Sequence, residues 1–151
     1  KGWKVTAFDQ SVEARNKAMS LAAERGLSLD YIVSDFEELS FADNSFDAAV
    51  MIYVHFPANL RQKYHQKVPQ LIKPGGQIII EGFSKEHVKF NEKNPSAGGP
   101  KDIDFLFSLE ELKADFKNFE IVELQQLELQ LSEGLYHSGE SSVIRCRGIK
   151  L

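Results

Sequence analysis

Residues 73–81 read Lys-Pro-Gly-Gly-Gln-Ile-Ile-Ile-Glu, and this stretch decides the fold class that the sequence predicts. Residues 73–76 have the composition of a tight turn, and residues 77–81 form a strand with an unbroken run of isoleucine. An unbroken apolar run is typical of a strand that is buried on both faces of a parallel sheet. We therefore expect a parallel sheet with helices on both of its faces.

Strand-like and helical segments alternate before this stretch. The predicted strands are residues 3–8, 31–33 and 46–54, and the predicted helices are residues 11–26 and 59–72. Ser11 can cap the first helix, Gly26 can end it, and Pro69 should kink or shorten the last turn of the second helix. This order predicts right-handed crossovers and a doubly wound α/β fold.

The pattern changes after the isoleucine-rich strand. Residues 84–104 are rich in Lys, Asn, Pro and Gly, so we predict a long irregular loop of the kind that often serves as a lid. Ser108 and Glu111 form a capping box that begins a short helix ending near residue 116. The last predicted strands are residues 120–131 and 142–149, joined by residues 134–139. Their connection is short enough for an antiparallel hairpin, which would close the sheet with an antiparallel edge.

Composition limits the function classes. The chain has 151 residues, of which 42% are hydrophobic, and this predicts a single domain over residues 1–151. The formal net charge of -4 comes without a basic stripe, which argues against nucleic acid as a partner. Four histidines and the single Cys146 form no zinc pattern, and no apolar run has membrane-spanning length. We expect a cytoplasmic protein with no metal site and no membrane partner.

Acidic residues close two consecutive predicted strands. Asp9 ends the first strand and Asp35 follows the second. Because ligands of open α/β sheets bind beyond the carboxyl ends of the strands, Asp9 could accept hydrogen bonds from both hydroxyls of a ribose. Asp35 could accept a hydrogen bond from the adenine amine, with Phe36 packed against the ring. The alternative, weighted equally for Asp9, is that it helps Ser11 to cap the helix and that Asp35 is a turn residue.

Four strings, in this order along nearly the whole chain, resemble class I S-adenosylmethionine-dependent methyltransferases. They are Trp-Lys-Val-Thr-Ala-Phe-Asp at 3–9, Ser-Asp-Phe at 34–36, Phe-Asp-Ala-Ala-Val at 46–50 and Leu-Ile-Lys-Pro-Gly-Gly at 71–76. The resemblance implies a Rossmann-like three-layer sandwich, S-adenosylmethionine as cofactor, and methyl transfer to a small-molecule acceptor. It also implies that Tyr53 and its neighbours line the methionine end of the cofactor. The implied cofactor-binding residues are Asp9, Gln10, Ser34, Asp35, Phe36, Ile52 and Tyr53.

Three further strings resemble one bacterial small-molecule branch, which is related to tellurite-resistance methyltransferases. They are Tyr-Val-His-Phe-Pro at 53–57, Gly-Pro-Lys-Asp at 99–102 and Gly-Leu-Tyr-His-Ser-Gly at 134–139. The first strand of the family and its Gly-x-Gly loop have no counterpart in this sequence. We therefore expect a domain that lacks its first strand, weak or absent cofactor binding by this chain, and a homodimer formed through the uncovered sheet edge.

The candidate catalytic residues are His55, Tyr53 and His137. His55 follows the strand that carries Tyr53, and a histidine with a near-neutral pKa could deprotonate a thiol or a hydroxyl acceptor. The alternative, which we weigh slightly more heavily, is a hydrogen-bonded histidine that shapes the pocket. His137 and Tyr136, in the hairpin loop, could contact the substrate or could lie in a solvated turn.

Two other functions compete with methyl transfer. A nicotinamide-dependent oxidoreductase would also use an acid at a strand end to bind ribose, although the antiparallel hairpin and Asp35 favour the methyltransferase. A non-catalytic Rossmann-like module is suggested by the missing glycine loop.

Overall fold

The computed structural model describes residues 2–151 and divides the chain into two compact units, Lys1–Phe41 and Ala42–Leu151. The first unit contains strand β1 (Thr6–Asp9), helix α1 (Val12–Glu24) and strand β2 (Asp30–Val33). β1 and β2 pair in parallel, so the predicted strand, helix and strand are confirmed here. β1 begins three residues later than the prediction placed it.

The ends of α1 follow the chemistry that the sequence indicates. The Ser11 hydroxyl accepts a hydrogen bond from the Ala14 N–H at 3.1 Å, as expected of an N-cap. Gly26 follows the helix with a φ of +62°, a left-handed conformation that costs glycine little. Local side-chain and backbone preferences are therefore enough to place this helix.

The second unit is built around a four-stranded sheet. Its elements are β3 (Phe46–Ile52), α2 (Ala58–Leu71), β4 (Ile72–Phe83), α3 (Val88–Lys93), α4 (Leu109–Asp115), β5 (Phe119–Ser132) and β6 (Ser138–Lys150). The strand order is β3-β4-β6-β5, in which β3 and β4 are parallel and the other two pairs are antiparallel. The predicted C-terminal hairpin is therefore confirmed, and it packs its second strand directly beside β4.

The predicted turn at residues 73–76 lies inside β4 as a large irregularity. Phe46 pairs with Ile72 and Ala48 pairs with Gln77, so four residues of β4 stand opposite Asp47 alone. A Cβ atom at Gly76 would lie 2.8 Å from the Asp47 carbonyl oxygen, which explains the requirement for glycine at this crowded point. The turn sets the register of the regular pairing that follows it.

The effect that we expected of Pro69 is absent. α2 continues to Leu71 with Pro69 inside its last turn, and β4 begins at the next residue. Proline removes one donor within a helix, but the N–H of Ile72 still donates to the Pro69 carbonyl and closes the helix end. The prediction of a shortened last turn was wrong, since two more helical residues, Gln70 and Leu71, follow Pro69 before the strand begins.

One face of the isoleucine-rich strand is buried and the other is not. Ile78 and Ile80 are fully enclosed, whereas Ile79 between them is 38% exposed. On the neighbouring strand β3, Val50 is 60% exposed and Ile52 is 49% exposed. The prediction of burial on both faces therefore holds for one face only among residues 2–151.

The predicted irregular loop at 84–104 is more ordered than its composition indicates. It contains helix α3 and three short 3-10 turns, at Lys85–His87, Pro95–Ala97 and Ile103–Phe105. The Gly98 carbonyl accepts hydrogen bonds from the buried side chains of His87 and Asn91, at 2.9 and 2.6 Å. These contacts connect residues seven and eleven positions apart, so the segment is anchored by side chains rather than by local propensity.

The two faces of β4 differ in burial, so substitutions at adjacent isoleucines should differ in their effect on stability. Replacing Ile78 by Ala should lower the free energy of unfolding by about 2–5 kcal/mol, because it leaves a cavity in the enclosed layer. The matched change Ile79→Ala, on the exposed face of the same strand, should cost roughly 1 kcal/mol or less. Urea denaturation measures both values, and equal losses would contradict the assignment of the buried face.

Candidate functional site

The carboxyl ends of β1 and β2 bring the predicted adenosine-binding residues together in the first unit. The Gln10 side-chain amide donates to Asp35 Oδ2 at 2.7 Å, and the Glu37 N–H donates to Asp35 Oδ1 at 2.9 Å. Ser34 lies at the end of β2, and its N–H donates to the Asp9 carbonyl at 3.2 Å. Polar groups from both strand ends therefore meet at one edge, as parallel pairing requires.

One carboxylate oxygen of Asp9 helps to cap helix α1, and the other is left for a ligand. Its Oδ1 accepts a hydrogen bond from the Ser11 N–H at 2.7 Å, which is the capping role that we stated as the alternative. Its Oδ2 has no hydrogen-bond partner among residues 2–151. The two roles are therefore compatible, because a carboxylate has two oxygens that can each accept hydrogen bonds.

Phe36 lies beneath this edge rather than beside it. Its ring stacks on Phe8 with centroids 5.6 Å apart, and the residue is 7% exposed. Little of the ring is left to pack against a purine. The stacking instead supports the strand ends that carry Asp9 and Asp35.

Tyr53 follows β3 in a conformation that side chains rarely adopt. Its φ is +52°, in the left-handed region, at a cost of about 1–3 kcal/mol for a residue other than glycine. Glu81 on β4 fixes it twice, because the Glu81 carbonyl accepts from the Tyr53 N–H at 2.7 Å and Glu81 Oε1 accepts from the hydroxyl at 3.3 Å. Arg145 in turn donates to Glu81 Oε2 at 2.6 Å.

The environment of Tyr53 keeps its hydroxyl protonated. Burial raises the pKa of Tyr53 well above its usual range, and the carboxylates of Glu133 and Glu81 raise it further. The hydroxyl can therefore donate a hydrogen bond near neutral pH, but it does not act as a base.

His55 uses both ring nitrogens to hold the surrounding backbone. Nδ1 donates to the Phe105 carbonyl at 2.9 Å, and Nε2 accepts from the Phe83 N–H at 3.1 Å. Burial lowers the pKa of His55 to about 4. These contacts favour the alternative that we stated, a histidine that shapes the pocket, and they leave no ring nitrogen for deprotonating an acceptor.

An open cavity of about 470 Å³ lies in the second unit, around the residues that follow β3 and β4. It is lined by Tyr53, His55, Phe83, Gly99, Pro100, Lys101, Asp102, Phe105 and His137. Its volume lies within the usual range for sites that hold small molecules. Tyr53, His55 and His137 therefore share one cavity, as the choice of catalytic candidates requires.

Phe83 is the centre of the cavity wall. Its ring stacks on the buried imidazole of His87 with centroids 4.0 Å apart, and it contacts the rings of Tyr53 and His137 at 4.8 and 5.4 Å. A Cβ atom at Gly99 would lie 2.6 Å from this ring, so the loop passes directly over the aromatic face. Close packing on several sides fixes the ring as a rigid wall.

The hairpin loop and the 94–102 segment pack against each other through glycine. At Gly98, a Cβ atom would lie 1.6 Å from the Tyr136 carbonyl oxygen and 2.9 Å from Cδ2 of His137. Asn94 adds a hydrogen bond from its side-chain amide to the Ser138 carbonyl at 3.0 Å. This contact places His137 over the cavity.

His137 presents its ring to the cavity from the hairpin loop. The ring contacts Tyr53 edge-on with centroids 4.5 Å apart. Glu133 Oε2 lies 3.5 Å from Nδ1. The turn that carries both residues is closed by a hydrogen bond from the Glu133 N–H to the His137 carbonyl at 2.8 Å.

Several residues that line this cavity or support its lining were missed by reading the sequence. Glu81 ends the isoleucine-rich segment, and the rule that singled out Asp9 and Asp35 at strand ends would also have found it. Glu133 and Phe83 carry no comparable signal, because their roles depend on contacts with residues far away in the sequence. No group of three or more His, Cys, Asp or Glu side chains in residues 2–151 could hold a metal ion. No helix in the same range is long and apolar enough to cross a membrane.

Comparison with known proteins places this geometry in a family. Residues 1–76, about half of the chain, match the family model described as "Methyltransferase domain". The chain belongs to the methyltransferase domain family. The predicted resemblance to class I S-adenosylmethionine-dependent methyltransferases is thereby confirmed.

Curated relatives of this methyltransferase domain match only in part. The chain is 31% identical over 83 residues to a demethylmenaquinone methyltransferase of Renibacterium salmoninarum, covering 55% of the chain and 33% of the relative. It is 25% identical over 133 residues to a sterol 24-C-methyltransferase of Neurospora crassa, covering 82% of the chain and 35% of the relative. The chain thus spans about a third of the length of these relatives.

Solved structures share the fold of nearly the whole of this chain. A SAM-dependent methyltransferase of Methanosarcina mazei aligns with 99% of this chain and 83% of its own, at a TM-score of 0.77 and 24% identity. TehB of Haemophilus influenzae aligns with 99% of this chain and 51% of its own, at a TM-score of 0.74 and 16% identity. The predicted Rossmann-like α/β fold is confirmed by these likenesses.

The buried state of His55 predicts a pH dependence of stability. In the unfolded chain a histidine takes up a proton below about pH 6.5, whereas folded His55 does so only near pH 4. Stability from this group is therefore present above pH 6.5 and is lost as the pH falls towards 4. NMR of the imidazole should show titration near pH 4, and His55→Gln should flatten the dependence of the unfolding free energy on pH between 6.5 and 4. Titration of His55 near pH 6.5 would contradict this.

The contact between Gly98 and the hairpin loop predicts a costly substitution. Gly98→Ala should destabilise the protein by about 2 kcal/mol or more, because a side chain there meets backbone atoms and the φ of +76° suits glycine. Gly134→Ala is the matched control, since Gly134 also has a positive φ but has open space around it. Thermal unfolding compares the two, and a loss at Gly98 no larger than that at Gly134 would refute the close contact.

Proposed function

We propose that this protein transfers a methyl group from S-adenosylmethionine to a small-molecule acceptor. The observation that carries the proposal is the match of residues 1–76 to the methyltransferase domain family. The cavity that contains Tyr53, Phe83 and His137 supports it, since a volume of about 470 Å³ suits a small acceptor. When bound, the cofactor supplies an electrophilic methyl group on a positively charged sulfur.

The donor set at the ends of β1 and β2 fits the adenosine part of this cofactor. Asp9 Oδ2 is uncommitted and can accept hydrogen bonds from ribose hydroxyls. Asp35 is oriented by the Gln10 amide and the Glu37 N–H, and it can still accept from an exocyclic amine, because a carboxylate has about four acceptor positions. Ser34 and Phe36 support these residues through the strand ends and the buried ring.

Residues at and after the end of β3 are proposed to orient the methyl-donating end of the cofactor. Tyr53 keeps its proton and is held by Glu81, so its hydroxyl and ring have one fixed position. Ile52, the last residue of β3, offers an apolar surface that is 49% exposed. A rigid wall of this kind accelerates methyl transfer by alignment and by excluding water rather than by acid or base chemistry alone.

The other functions that we considered are not favoured by any observation on the molecule. Membership of the methyltransferase domain family opposes the nicotinamide-dependent oxidoreductase. The relation to tellurite-resistance methyltransferases, the homodimer, the lack of a nucleic-acid partner, the cytoplasmic location and the single domain stay predictions.

The role of Asp9 predicts a specific loss of cofactor affinity. In the full-length protein, Asp9→Asn should weaken binding of S-adenosylhomocysteine by roughly 10- to 100-fold, since hydrogen bonds to a charged acceptor are lost. Asparagine keeps an oxygen that can still accept from the Ser11 N–H, so the helix cap survives. Isothermal titration calorimetry measures the change.

Asp30→Asn is the matched control for this measurement. Asp30 is an exposed acid at the other end of β2, paired with Lys4 at 3.9 Å. Its replacement should leave S-adenosylhomocysteine binding unchanged. Equal affinity of the Asp9 variant and the parent protein would overturn the ribose role, and no binding by the parent protein would overturn the proposed function.

A further inference from the structure

The four histidines of the chain differ in which ring nitrogens are engaged. His55 uses both ring nitrogens, as does His87, whose Nε2 donates to the Gly98 carbonyl while Nδ1 accepts from the Ser142 N–H. His65 bonds Asp115 through Nδ1 at 2.8 Å, and its Nε2 is unpaired but completely buried. His137 is the histidine that lines the cavity with its Nε2 free of partners among residues 2–151.

Glu133 lies beside the other ring nitrogen of His137. The distance of 3.5 Å from its Oε2 to Nδ1 is too long for a well-formed hydrogen bond but suits an ion pair with a protonated ring, and catalytic contacts often tighten when a ligand binds. A carboxylate on one side of an imidazole selects the tautomer with the proton on Nδ1, and it stabilises the imidazolium that forms after proton uptake. Nε2 is then left as an acceptor that can face a ligand in the cavity.

Much of the remaining cavity wall is aromatic or aliphatic. Tyr53, Phe83 and Phe105 contribute aromatic rings, and Pro100 contributes an aliphatic ring. Aromatic walls held rigidly in this way prefer flat apolar ligands, which they contact by stacking or edge-on. Lys101 and Asp102 lie at the cavity with opposite charges, so the wall does not strongly favour a cationic or an anionic ligand.

We propose that the methyl acceptor is a flat, largely apolar molecule with a hydroxyl or thiol group, whose proton passes to Nε2 of His137 while Glu133 positions the imidazole. This inference rests on the proposed function and names the acceptor class of the same site. The O–H or S–H bond breaks and its electron pair stays on the heteroatom, which forms the new bond to the methyl carbon. The donor carbon–sulfur bond breaks with its electron pair retained on sulfur, whose positive charge is thereby neutralised.

Tyr53 does not compete for this role. Its hydroxyl already donates to Glu81 and stays protonated, so it can only donate to a bound acceptor or shape the wall. His137 is therefore the residue that we assign to taking up the proton of a hydroxyl or thiol acceptor.

A chromogenic phenol tests the proposal without turnover. In the full-length protein with saturating S-adenosylhomocysteine, 4-nitrophenol should bind saturably, and its visible phenolate absorption should show that it ionises at lower pH than in solution. We expect a shift of roughly one pH unit or more, since an imidazolium formed beside a phenolate favours the charged form. His137→Gln should abolish this shift, and Glu133→Gln should reduce it.

Controls separate failure of this inference from failure of the proposed function. Tyr136→Phe alters an exposed residue of the same loop and should leave the shift unchanged. Each variant should retain its affinity for S-adenosylhomocysteine, measured by calorimetry, because the proposed adenosine contacts lie in the first unit. Normal S-adenosylhomocysteine binding with no saturable binding of 4-nitrophenol, or with an equal ionisation shift in His137→Gln, would overturn the inference and leave methyl transfer standing.

Discussion

The hydrogen bonding and packing of residues 81–83, at the end of β4, hold Tyr53 and His55 at the cavity. Glu81 fixes Tyr53 through its carbonyl and its carboxylate, and the Phe83 N–H donates to His55. Between them, Gly82 leaves room for the ring of Phe107, which a Cβ atom would approach to 2.5 Å. These three residues can do this because β4 lies between β3 and β6 and is held on both edges. A small displacement of β4 would therefore move Phe83 together with Tyr53 and His55.

The cavity wall contains strained backbone and buried polar groups, both of which cost free energy. Tyr53 adopts a left-handed conformation, and Gly98 and Gly99 bring the chain closer to Tyr136 and Phe83 than any side chain would permit. His55 and His87 are buried in neutral form, and desolvation lowers the pKa of both. Strain and buried polar groups of this kind persist where packing on several sides holds them, and they are frequent at functional sites.

Charge is distributed differently in the interior and at the cavity. Arg61 on α2 pairs with Glu111 at 2.9 Å and with Asp115 at 3.1 Å, and these partly buried pairs connect α2 to α4 away from the cavity. Next to the cavity, Glu81 pairs with Arg145, whereas Glu133 lies beside the imidazole of His137. A carboxylate beside an imidazole stabilises the imidazolium that forms when the ring takes up a proton. The first arrangement supports the fold, and the second is suited to chemistry.

The sequence by itself determined the alternation of strands and helices, the capped helix α1, the antiparallel hairpin and the acids at the ends of β1 and β2. Each of these depends on periodicity, on capping chemistry or on the meeting of parallel strand ends, which neighbouring residues specify. Tertiary structure alone decided that His55 is committed to the backbone, that residues 84–104 are ordered, and that His137 faces the cavity beside Glu133. These outcomes depend on hydrogen bonds and ring contacts between residues far apart in the chain, such as Phe105 with His55 and Gly98 with Tyr136. No local pattern encodes such contacts, because the geometry that permits them exists only after the sheet has formed.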